Sequence, residues 1–222
     1  MLAGEAVVAI WNGIAPEARA QFYDWHINEH MPERVGIPGF RRGRRYIALD
    51  PDTQPEFFTL YEADTIEVLK GSDYANRLND PTPATKATTS QFRNTARALA
   101  RVLDSRGPGA GGAVLTVRFD ADESLLGPLR VAVHEALHAP RITGAHLCRA
   151  DQDASGVRTT ETRDRADIEA PPTWFMLLEA TDAGALTGIH IQTRLTAAGV
   201  CGPLQQGLYR LEYTRNKTEF AA

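Results

Sequence analysis

The two halves of the chain carry the same order of short motifs, and this repetition constrains the fold more than any other feature. AVVAIWNGI, from Ala6, has its counterpart AVLTVRFDA 107 residues later. HINEHMP, from His26, is matched by HEALHAP after 108 residues, and PEFFTLYEA, from Pro55, by PTWFMLLEA after 117. A period this long is the size of a small domain, so a duplicated domain is predicted rather than a solenoid. The larger last offset predicts one insertion in the second half.

A glycine-rich stretch separates the two halves. The run DSRGPGAGG ends at Gly112 and has too few apolar residues for a buried element. We therefore expect a first repeat at residues 1–106, a linker at 107–112 and a second repeat at 113–222.

Each half is predicted to follow the order β-α-β-β-α-β. Alternating β-branched residues favour strands, and proline and glycine mark the helix ends. In the first half we expect strands at 6–13, 40–49, 57–63 and 98–103, and helices at 16–30 and 65–78. In the second half we expect strands at 113–119, 144–150, 174–180 and 207–214, and helices at 128–139 and 183–198. This order is the ferredoxin-like pattern, an α+β fold.

Composition indicates an ordinary globular protein. Hydrophobic residues make up 43% and charged residues 23%, and the formal net charge of -4 provides no basic field for nucleic acid. No apolar run approaches the roughly 20 residues of a membrane span. The only cysteines, Cys148 and Cys201, favour a reducing compartment. We expect a cytoplasmic protein that binds neither nucleic acid nor membrane.

The second half contains H-E-x-x-H at residues 134–138, the core motif of zinc metallopeptidases. What recurs in the first half is H-x-x-x-H-x-P, where Ile27 replaces the glutamate. Pro140 should end the helix that a peptidase would need. We therefore expect neither a zinc metallopeptidase nor a metal site. The simplest interpretation is that each histidine interacts with a helix C-terminus, and a non-proteolytic metal site is the alternative.

The first half carries a family resemblance. The run WHINEHMPERVGIPGFRRGRRY, followed by EFFTLYEADT, resembles the EthD-like members of the dimeric α+β barrel superfamily. The matching positions are His30, Pro32, Pro38, Gly39 and Phe40, with a thinner match in the second half at His138, Pro140 and Gly144. The resemblance implies two ferredoxin-like repeats that pack sheet to sheet and close a barrel within one chain. The superfamily holds monooxygenases, haem enzymes, lyases, isomerases and ligand-binding regulators.

No cofactor is obvious from the sequence. A glycine-rich phosphate loop that would indicate a nucleotide cofactor is missing. The resemblance leaves haem open, with His26, His30 or His190 as a conceivable axial ligand.

The first helix predicts a catalytic carboxylate. At 100° per residue Phe22, Trp25 and Glu29 fall on one face, which is apolar in the second half and should pack on the sheet. Glu29 would then be buried beside His26 and His30, with a raised pKa that suits a general acid or base. The alternative is that Glu29 leaves the core or pairs with an arginine. The candidate catalytic residues are His26, Glu29 and His30.

The following strand, GFRRGRRYIAL, is rich in arginine. Alternation places Arg42 and Arg44 on one face and Arg41 and Arg45 on the other, and one pair should enter the barrel and hold an anion. A solvated edge strand is the alternative interpretation. The candidate substrate-binding residues are Arg41, Arg42, Arg44, Arg45, Trp25 and Tyr61.

We therefore expect a cofactor-free acid–base enzyme of the lyase, isomerase or oxygenase type that acts on a small, partly apolar, anionic metabolite. A non-catalytic ligand-binding or assembly module is the alternative, and a metal- or haem-dependent enzyme the minor one. Expected partners are a small-molecule ligand and a second copy of the tandem chain. The polar run at 151–172 should form a flexible surface hairpin, or otherwise a functional lid.

Overall fold

Eight antiparallel strands close into one barrel in the computed structural model, which describes residues 1–162 and 165–218. The strands are β1 Ala6–Ile14, β2 Phe40–Ala48, β3 Phe57–Ala63, β4 Phe92–Arg106, β5 Ala113–Phe119, β6 Ile142–Ala150, β7 Trp174–Ala180 and β8 Gln205–Asn216. Around the wall they are hydrogen-bonded in the order β1-β3-β2-β8-β5-β7-β6-β4, and β4 pairs with β1 to close the circle.

Short helices occupy many of the connections. The α-helices are α1 Arg19–Trp25, α2 Met31–Gly36, α3 Ile66–Lys70, α4 Ser72–Asn79, α5 Pro83–Thr89, α6 Leu126–Ala136, α7 Gln152–Gly156, α8 Ala183–Thr187 and α9 Ile191–Ala197. A π-helical turn, His26–His30, joins α1 to α2. Among the described residues, none of the helices has the length and apolar character needed to cross a bilayer.

The strand order gives each half a ferredoxin-like sheet, β4-β1-β3-β2 in the first half and β8-β5-β7-β6 in the second. The pairs β2–β8 and β4–β6 join the two sheets edge to edge. The strands thus form one closed eight-stranded barrel, and the expected packing of two repeats sheet to sheet stays a prediction. Edge pairing gives every edge strand a hydrogen-bonded partner, which removes the exposed edges that promote aggregation.

Side chains fill the interior of the barrel. Trp11, Phe58 and Phe175 are fully buried there, with Trp11 stacked on Phe58 at 5.1 Å and edge-on to Phe175 at 5.4 Å between ring centroids. These aromatic contacts contribute packing energy beyond the burial of their area. Among the described residues the barrel interior is thus a packed core, and the cavity described below lies outside it.

One arginine pair does point into the barrel, but its charges are already matched. Glu62 accepts hydrogen bonds from Arg42 at 2.8 and 2.9 Å and from Arg44 at 3.0 Å. Arg44 also donates to Glu179 at 2.6 and 3.1 Å, and His146 Nε2 lies 3.1 Å from the same carboxylate. Burial alone would raise the pKa of Glu179, but the hydrogen bonds and charges of His146 and Arg44 hold it below its usual range. Arg42 and Arg44 are therefore engaged within the barrel, and their predicted role in substrate binding stays a prediction.

A β-bulge at the start of β2 breaks the predicted alternation. Phe40 pairs with Ala63 and Arg42 pairs with Glu62, so the intervening Arg41 has no partner in the ladder. Phe40 consequently packs on the outer face of the sheet, whereas the residues from Arg42 onward alternate as predicted. Arg41 is exposed and pairs with Asp64 outside the barrel, and its predicted role in substrate binding stays a prediction.

Element boundaries differ from the predictions where the sequence lacks an apolar pattern. The predicted strands at 57–63, 113–119 and 174–180 are confirmed, but β4 runs for 15 residues because its polar first part continues the ladder with β1. The predicted helix at 65–78 is broken at Gly71, which is extended, into α3 and α4. The α5 helix escaped prediction because its sequence, PATKATT, has no apolar stripe. It is capped by Thr82, whose hydroxyl accepts from Thr85 N at 3.0 Å.

We expect Glu179→Gln to lower the free energy of unfolding at pH 7 by about 3 kcal/mol, because Arg44 then has to share Glu62 with Arg42 as its carboxylate partner. The folded-state pKa of Glu179 lies below that of the unfolded chain, so this stabilisation is complete above about pH 4.3 and is lost on further acidification. Urea unfolding at pH 7 and pH 3.5 measures both effects. Glu17→Gln, at an exposed glutamate, should change stability by less than about 0.5 kcal/mol. A loss for Glu179→Gln that is equal at both pH values would contradict this account.

Candidate functional site

A cavity of about 220 Å³ lies on the outer face of the first-half sheet, between that sheet and the helices that cover it. Its floor comes from β1, β3 and β4, and its walls come from α1, the π-helical turn and α4. Apolar and aromatic side chains dominate the lining, including Ile10, Phe22, Trp25, Tyr74, Leu78 and Phe92. The structure therefore places the candidate site outside the barrel wall, whereas the sequence interpretation placed it inside.

The second half of the chain covers this cavity. We call residues 151–162 and 165–172 the cover segment; it includes α7 and contributes lining residues from Ser155 to Pro171. Backbone hydrogen bonds fasten it to the first half, from Glu161 N to Leu78 O at 3.1 Å and between Thr95 and Asp167 at 2.8 Å. The expected free surface hairpin is therefore wrong, because the segment packs across the first half.

The first helix does not end at His30 as predicted, because it widens into a π-helical turn and then continues as α2. The N–H of Met31 donates to the carbonyl of His26, five residues back. Pro32 follows at once; it has no N–H to donate and its ring would clash with the carbonyl of Asn28 in a regular α-helix. A wider turn before the proline accommodates the ring. Such π-turns occur frequently at functional sites.

The wider turn changes which side chains face the sheet. His26 and His30 are both buried, border the cavity and lie 5.8 Å apart between ring centroids. Glu29 is rotated away from the sheet, is half-buried and does not border the cavity. Its carboxylate accepts hydrogen bonds from the hydroxyls of Thr82 and Thr85. The prediction of Glu29 as a buried acid–base group is therefore wrong, because it assumed 100° per residue throughout.

Glu29 nevertheless acts on the site indirectly. Thr85 accepts a hydrogen bond from Trp25 Nε1 at 3.1 Å, and it also bonds to Glu29 at 3.3 Å. The Trp25 ring, which borders the cavity, is held in place by this chain of hydrogen bonds.

Arg45, His26 and Tyr61 form a chain of polar contacts that ends at the cavity. Arg45 Nη1 lies 3.3 Å from His26 Nδ1, and His26 Nε2 lies 3.4 Å from the Tyr61 hydroxyl. Burial, together with the charge of Arg45, lowers the pKa of His26 to about 3, so the ring is neutral at pH 7. A guanidinium can only donate, so Nδ1 accepts and the single ring proton sits on Nε2. Nε2 then donates to the Tyr61 oxygen, which leaves the Tyr61 proton free to donate elsewhere.

Arg45 is the member of the predicted arginine set that serves the cavity, but it does so from behind His26. It is fully buried, lies 3.3 Å from Glu212 and sits 4.5 Å above the Tyr23 ring. Arg45 does not itself border the cavity. It contacts His26 behind the cavity lining, and its predicted role in substrate binding stays a prediction.

His30 is a buried imidazole with an unsatisfied nitrogen. Its ring packs against Trp25 at 4.2 Å between centroids, and its Nδ1 has no hydrogen-bond partner among the described residues. A buried polar atom without a partner is uncommon and costs about 1–3 kcal/mol. Burial has the largest effect on His30, and the electrostatic effects of Arg34 and then His26 add to it; together they lower the pKa of His30 well below its ordinary value. His30 is therefore a neutral group that is poorly satisfied by the protein alone.

Arg34 is a site residue that the sequence interpretation missed. It lies on α2, is almost fully buried and borders the cavity. Its Nη2 donates to Glu161 of the cover segment at 2.7 Å, while Nη1 lacks a hydrogen-bond partner in the described part of the chain. The predicted first helix ended at His30, so Arg34 lay outside it and was not placed on any face of a helix. Because the helix continues as α2, Arg34 is carried to the cavity.

The H-E-x-x-H residues do not converge. The α6 helix ends at Ala136, so His138 lies beyond it and is exposed. His134 is exposed and lies 3.3 Å from Asp104, and Glu135 pairs with Arg194. In residues 1–162 and 165–218 no group of three potential metal ligands is found. His190, considered above as an axial ligand, is exposed and does not border the cavity.

Solved structures share the fold over nearly the whole chain, although no protein-family model and no curated protein matches the sequence. An anthrone oxidase-like protein matches with a TM-score of 0.65 and 11% identity, over 98% of this chain and 95% of that chain. A proposed monooxygenase from Fusobacterium nucleatum matches with a TM-score of 0.56 and 10% identity, over 97% and 96%. A proposed chlorite dismutase matches with a TM-score of 0.55 and 10% identity, over 95% and 96%. The fold is therefore that of the dimeric α+β barrel proteins.

We expect His30→Phe to make the protein less sensitive to acid. The folded-state pKa of His30 lies well below the unfolded value of about 6.5, so the unfolded chain binds this proton first and stability is lost as the pH falls below 6.5. Between pH 7 and pH 5 this histidine accounts for about 2 kcal/mol of lost stability.

Urea unfolding of the wild type and His30→Phe at both pH values measures the difference. His134→Phe, at an exposed histidine outside the cavity, is the matched control for the substitution itself. An unchanged acid sensitivity in His30→Phe would show that the burial of His30 does not control its protonation.

Proposed function

We propose that this chain is a cofactor-independent acid–base enzyme that binds a small, partly apolar molecule in the cavity and moves a proton at an activated carbon or oxygen. The observation that supports this proposal is the polar chain from Arg45 through His26 to Tyr61, which ends at the cavity. Along this chain Arg45 donates to His26 and His26 donates to Tyr61, so the Tyr61 hydroxyl is free to donate to a ligand. A core histidine needs no such arrangement for packing alone.

Tyr61 is the proposed hydrogen-bond donor to the bound molecule. Burial raises the pKa of its phenol, so the hydroxyl stays protonated at neutral pH. Its oxygen is turned toward His26, and its proton can reach an oxygen atom of the ligand. A donor held in advance of the reaction stabilises negative charge that develops on that oxygen, as an oxyanion hole does.

His30 is the proposed proton acceptor. Its ring is neutral and borders the cavity beside Tyr61 of the floor, with 6.4 Å between the two ring centroids. The lowered pKa makes His30 a weak base in the empty cavity. An anionic ligand close to Arg34 would oppose the charge that depresses this pKa and would strengthen the base.

An oxygenase is the reaction type that the similar structures favour. An anthrone oxidase-like protein and a proposed monooxygenase share the fold, and a phenolic or enolic substrate loses a proton before it reacts with oxygen. Lyase and isomerase chemistry would begin with the same proton transfer. The aromatic lining suits a planar conjugated molecule.

We also propose that the chain is EthD-like and arose by tandem duplication. The same strand order in both halves supports this proposal, with repeats at 1–106 and 113–222 around a linker at 107–112. In this scheme the first repeat retains the site and the second contributes the cover segment. A homodimer of the tandem chain stays a prediction.

The residues around the cavity do not fit a haem. Pockets for cofactors and drug-sized ligands typically enclose about 300–1,000 Å³, and this cavity has about 220 Å³ beneath a fastened cover segment. His26 has both ring nitrogens engaged by Arg45 and Tyr61, and His30, whose Nδ1 has no partner among the described residues, borders a space below that size. The mechanism above therefore involves no step at a haem.

Ligand binding without turnover is the second candidate function. The lowered pKa values of His26 and His30 favour it, because neutral imidazoles of low basicity recognise hydrogen-bond donors but remove protons slowly. In this case the same residues would select the ligand and release it unchanged.

Dithranol, an anthrone with an acidic C–H bond, is a suitable probe of the proposal. Under argon in deuterated buffer, the wild type should accelerate deuterium exchange at this carbon, followed by NMR. Tyr61→Phe should slow the exchange by about 10²-fold because it removes the donor that stabilises the enolate.

Tyr46→Phe is the matched control. Tyr46 lies inside the barrel, and its buried hydroxyl has no hydrogen-bond partner among the described residues, so its removal leaves the cavity intact. It should exchange deuterium at the wild-type rate. If the wild type binds dithranol by calorimetry but does not accelerate exchange, ligand binding without turnover replaces the enzyme proposal. Admission of oxygen then tests for oxygen uptake.

A further inference from the structure

Arg34 has a buried guanidinium group whose hydrogen bonding is incomplete among the described residues. The guanidinium is almost fully buried at the cavity and makes one hydrogen bond to a carboxylate, from Nη2 to Glu161 at 2.7 Å. Nη1 lies 3.4 Å from Glu33 but has no hydrogen bond within the described residues. Arginine binds carboxylates best through two parallel N–H bonds. One nitrogen of the fork is therefore left for a better-placed anion.

The cavity carries an excess of positive charge among the described residues that line it. Arg34, Arg97, Arg158 and Arg165 contribute four guanidinium groups, whereas Glu161 and Glu169 contribute two carboxylates. Arg165 is matched by Asp167 at 2.7 Å, and Arg97 donates to the neutral Tyr74 hydroxyl at 3.1 Å. A bound anion would thus meet a favourable field even while Glu161 remains nearby.

Glu161 can leave Arg34 without unfolding the cover segment. Backbone hydrogen bonds at Leu78 and Thr95 fasten that segment, and only the glutamate side chain reaches Arg34. Rotation of that side chain toward solvent would expose both terminal nitrogens of Arg34 to the cavity. No backbone hydrogen bond needs to break.

We propose that Arg34 is the anion receptor of this cavity. Glu161 binds Arg34 when no ligand is present, and a carboxylate on a small aromatic ligand displaces Glu161. The inference deepens the proposed function by naming the substrate class, and it rests on that function only in assuming that the cavity binds a ligand. The carboxylate binds Arg34 through both terminal nitrogens, and the ring lies among Trp25, Phe22 and Phe92. Arg34 and Glu161, rather than the arginines of β2, determine specificity for anions.

Salicylate and salicylamide are suitable probes, because they share a phenol and a similar shape but differ in charge. Calorimetric titration should give tighter binding of salicylate than of salicylamide to the wild type. Glu161→Gln should tighten salicylate binding by about tenfold, since it removes a competing charge at close range, and should leave salicylamide binding unchanged.

Glu169→Gln is the matched control. Glu169 lies on the same cover segment, borders the same cavity and has no recorded ion pair with Arg34. This variant should tighten salicylate binding much less than Glu161→Gln does and should leave salicylamide binding unchanged, because Glu169 lacks the direct contact with Arg34 that Glu161 makes. Arg34→Met should lose the preference for salicylate, and Arg34→Lys replaces it if the Met variant does not fold, because lysine cannot form two parallel bonds.

Thermal unfolding provides a second measurement. Glu161→Gln should melt at a lower temperature than the wild type, because Arg34 loses its partner, and salicylate should restore the melting temperature while salicylamide should not. Rescue by the anion distinguishes a receptor from a purely structural ion pair.

The inference is overturned if Glu161→Gln and Glu169→Gln bind salicylate equally, if the Arg34 variants keep the preference for salicylate, or if neither probe binds Glu161→Gln at millimolar concentrations. Tyr61→Phe separates this inference from the proposed function, since it should lose deuterium exchange and keep the preference for salicylate. Exchange that persists in the wild type while this preference is absent would sink the anion receptor alone.

Discussion

The site depends on one missing backbone hydrogen bond. Pro32 has no N–H, and the chain responds with a π-helical turn at His26–His30 before the helix resumes. This extra residue per turn brings both imidazoles to the sheet side, moves Glu29 off it, and lets α2 carry Arg34 back to the cavity. In the second half the corresponding helix ends at Ala136, and the described residues there do not repeat the π-helical turn. The difference between the halves is therefore a difference in backbone geometry before it is one in side chains.

Buried charge is handled differently on the two faces of the same sheet. Inside the barrel, Arg42 and Arg44 meet Glu62 and Glu179 in a network in which each carboxylate accepts several hydrogen bonds. Outside it, Arg34 has a single hydrogen-bonded carboxylate, so its charge is only partly satisfied. Arginines and carboxylates whose hydrogen bonding is complete form a rigid wall, whereas an arginine whose hydrogen bonding is incomplete can exchange one carboxylate for another. This contrast supports the assignment of a structural role to one set of arginines and a recognition role to the other.

The sequence predicted the α+β class and most strands, because alternation and turn residues are local signals that the barrel does not override. It also indicated His26, His30, Trp25 and Tyr61, all of which border the cavity. It failed at Glu29, because a face computed at 100° per residue cannot foresee a π-turn. Other errors have a similar origin. A bulge at Arg41 displaced Phe40, and the contact of Glu161 with Arg34 joins residues 127 positions apart, which no local pattern encodes.

The placement of the tryptophans has a practical consequence. Of the three, Trp11 is enclosed in the barrel, Trp174 packs in the core of the second half, and Trp25 alone borders the cavity. Its indole is stacked on His30 and hydrogen-bonded to Thr85, so its emission depends on the contents and the protonation of the cavity. The other two fluorophores provide a constant background. The protein thus carries an unlabelled optical sensor for its own occupancy, suited to screening compounds before any reaction is known.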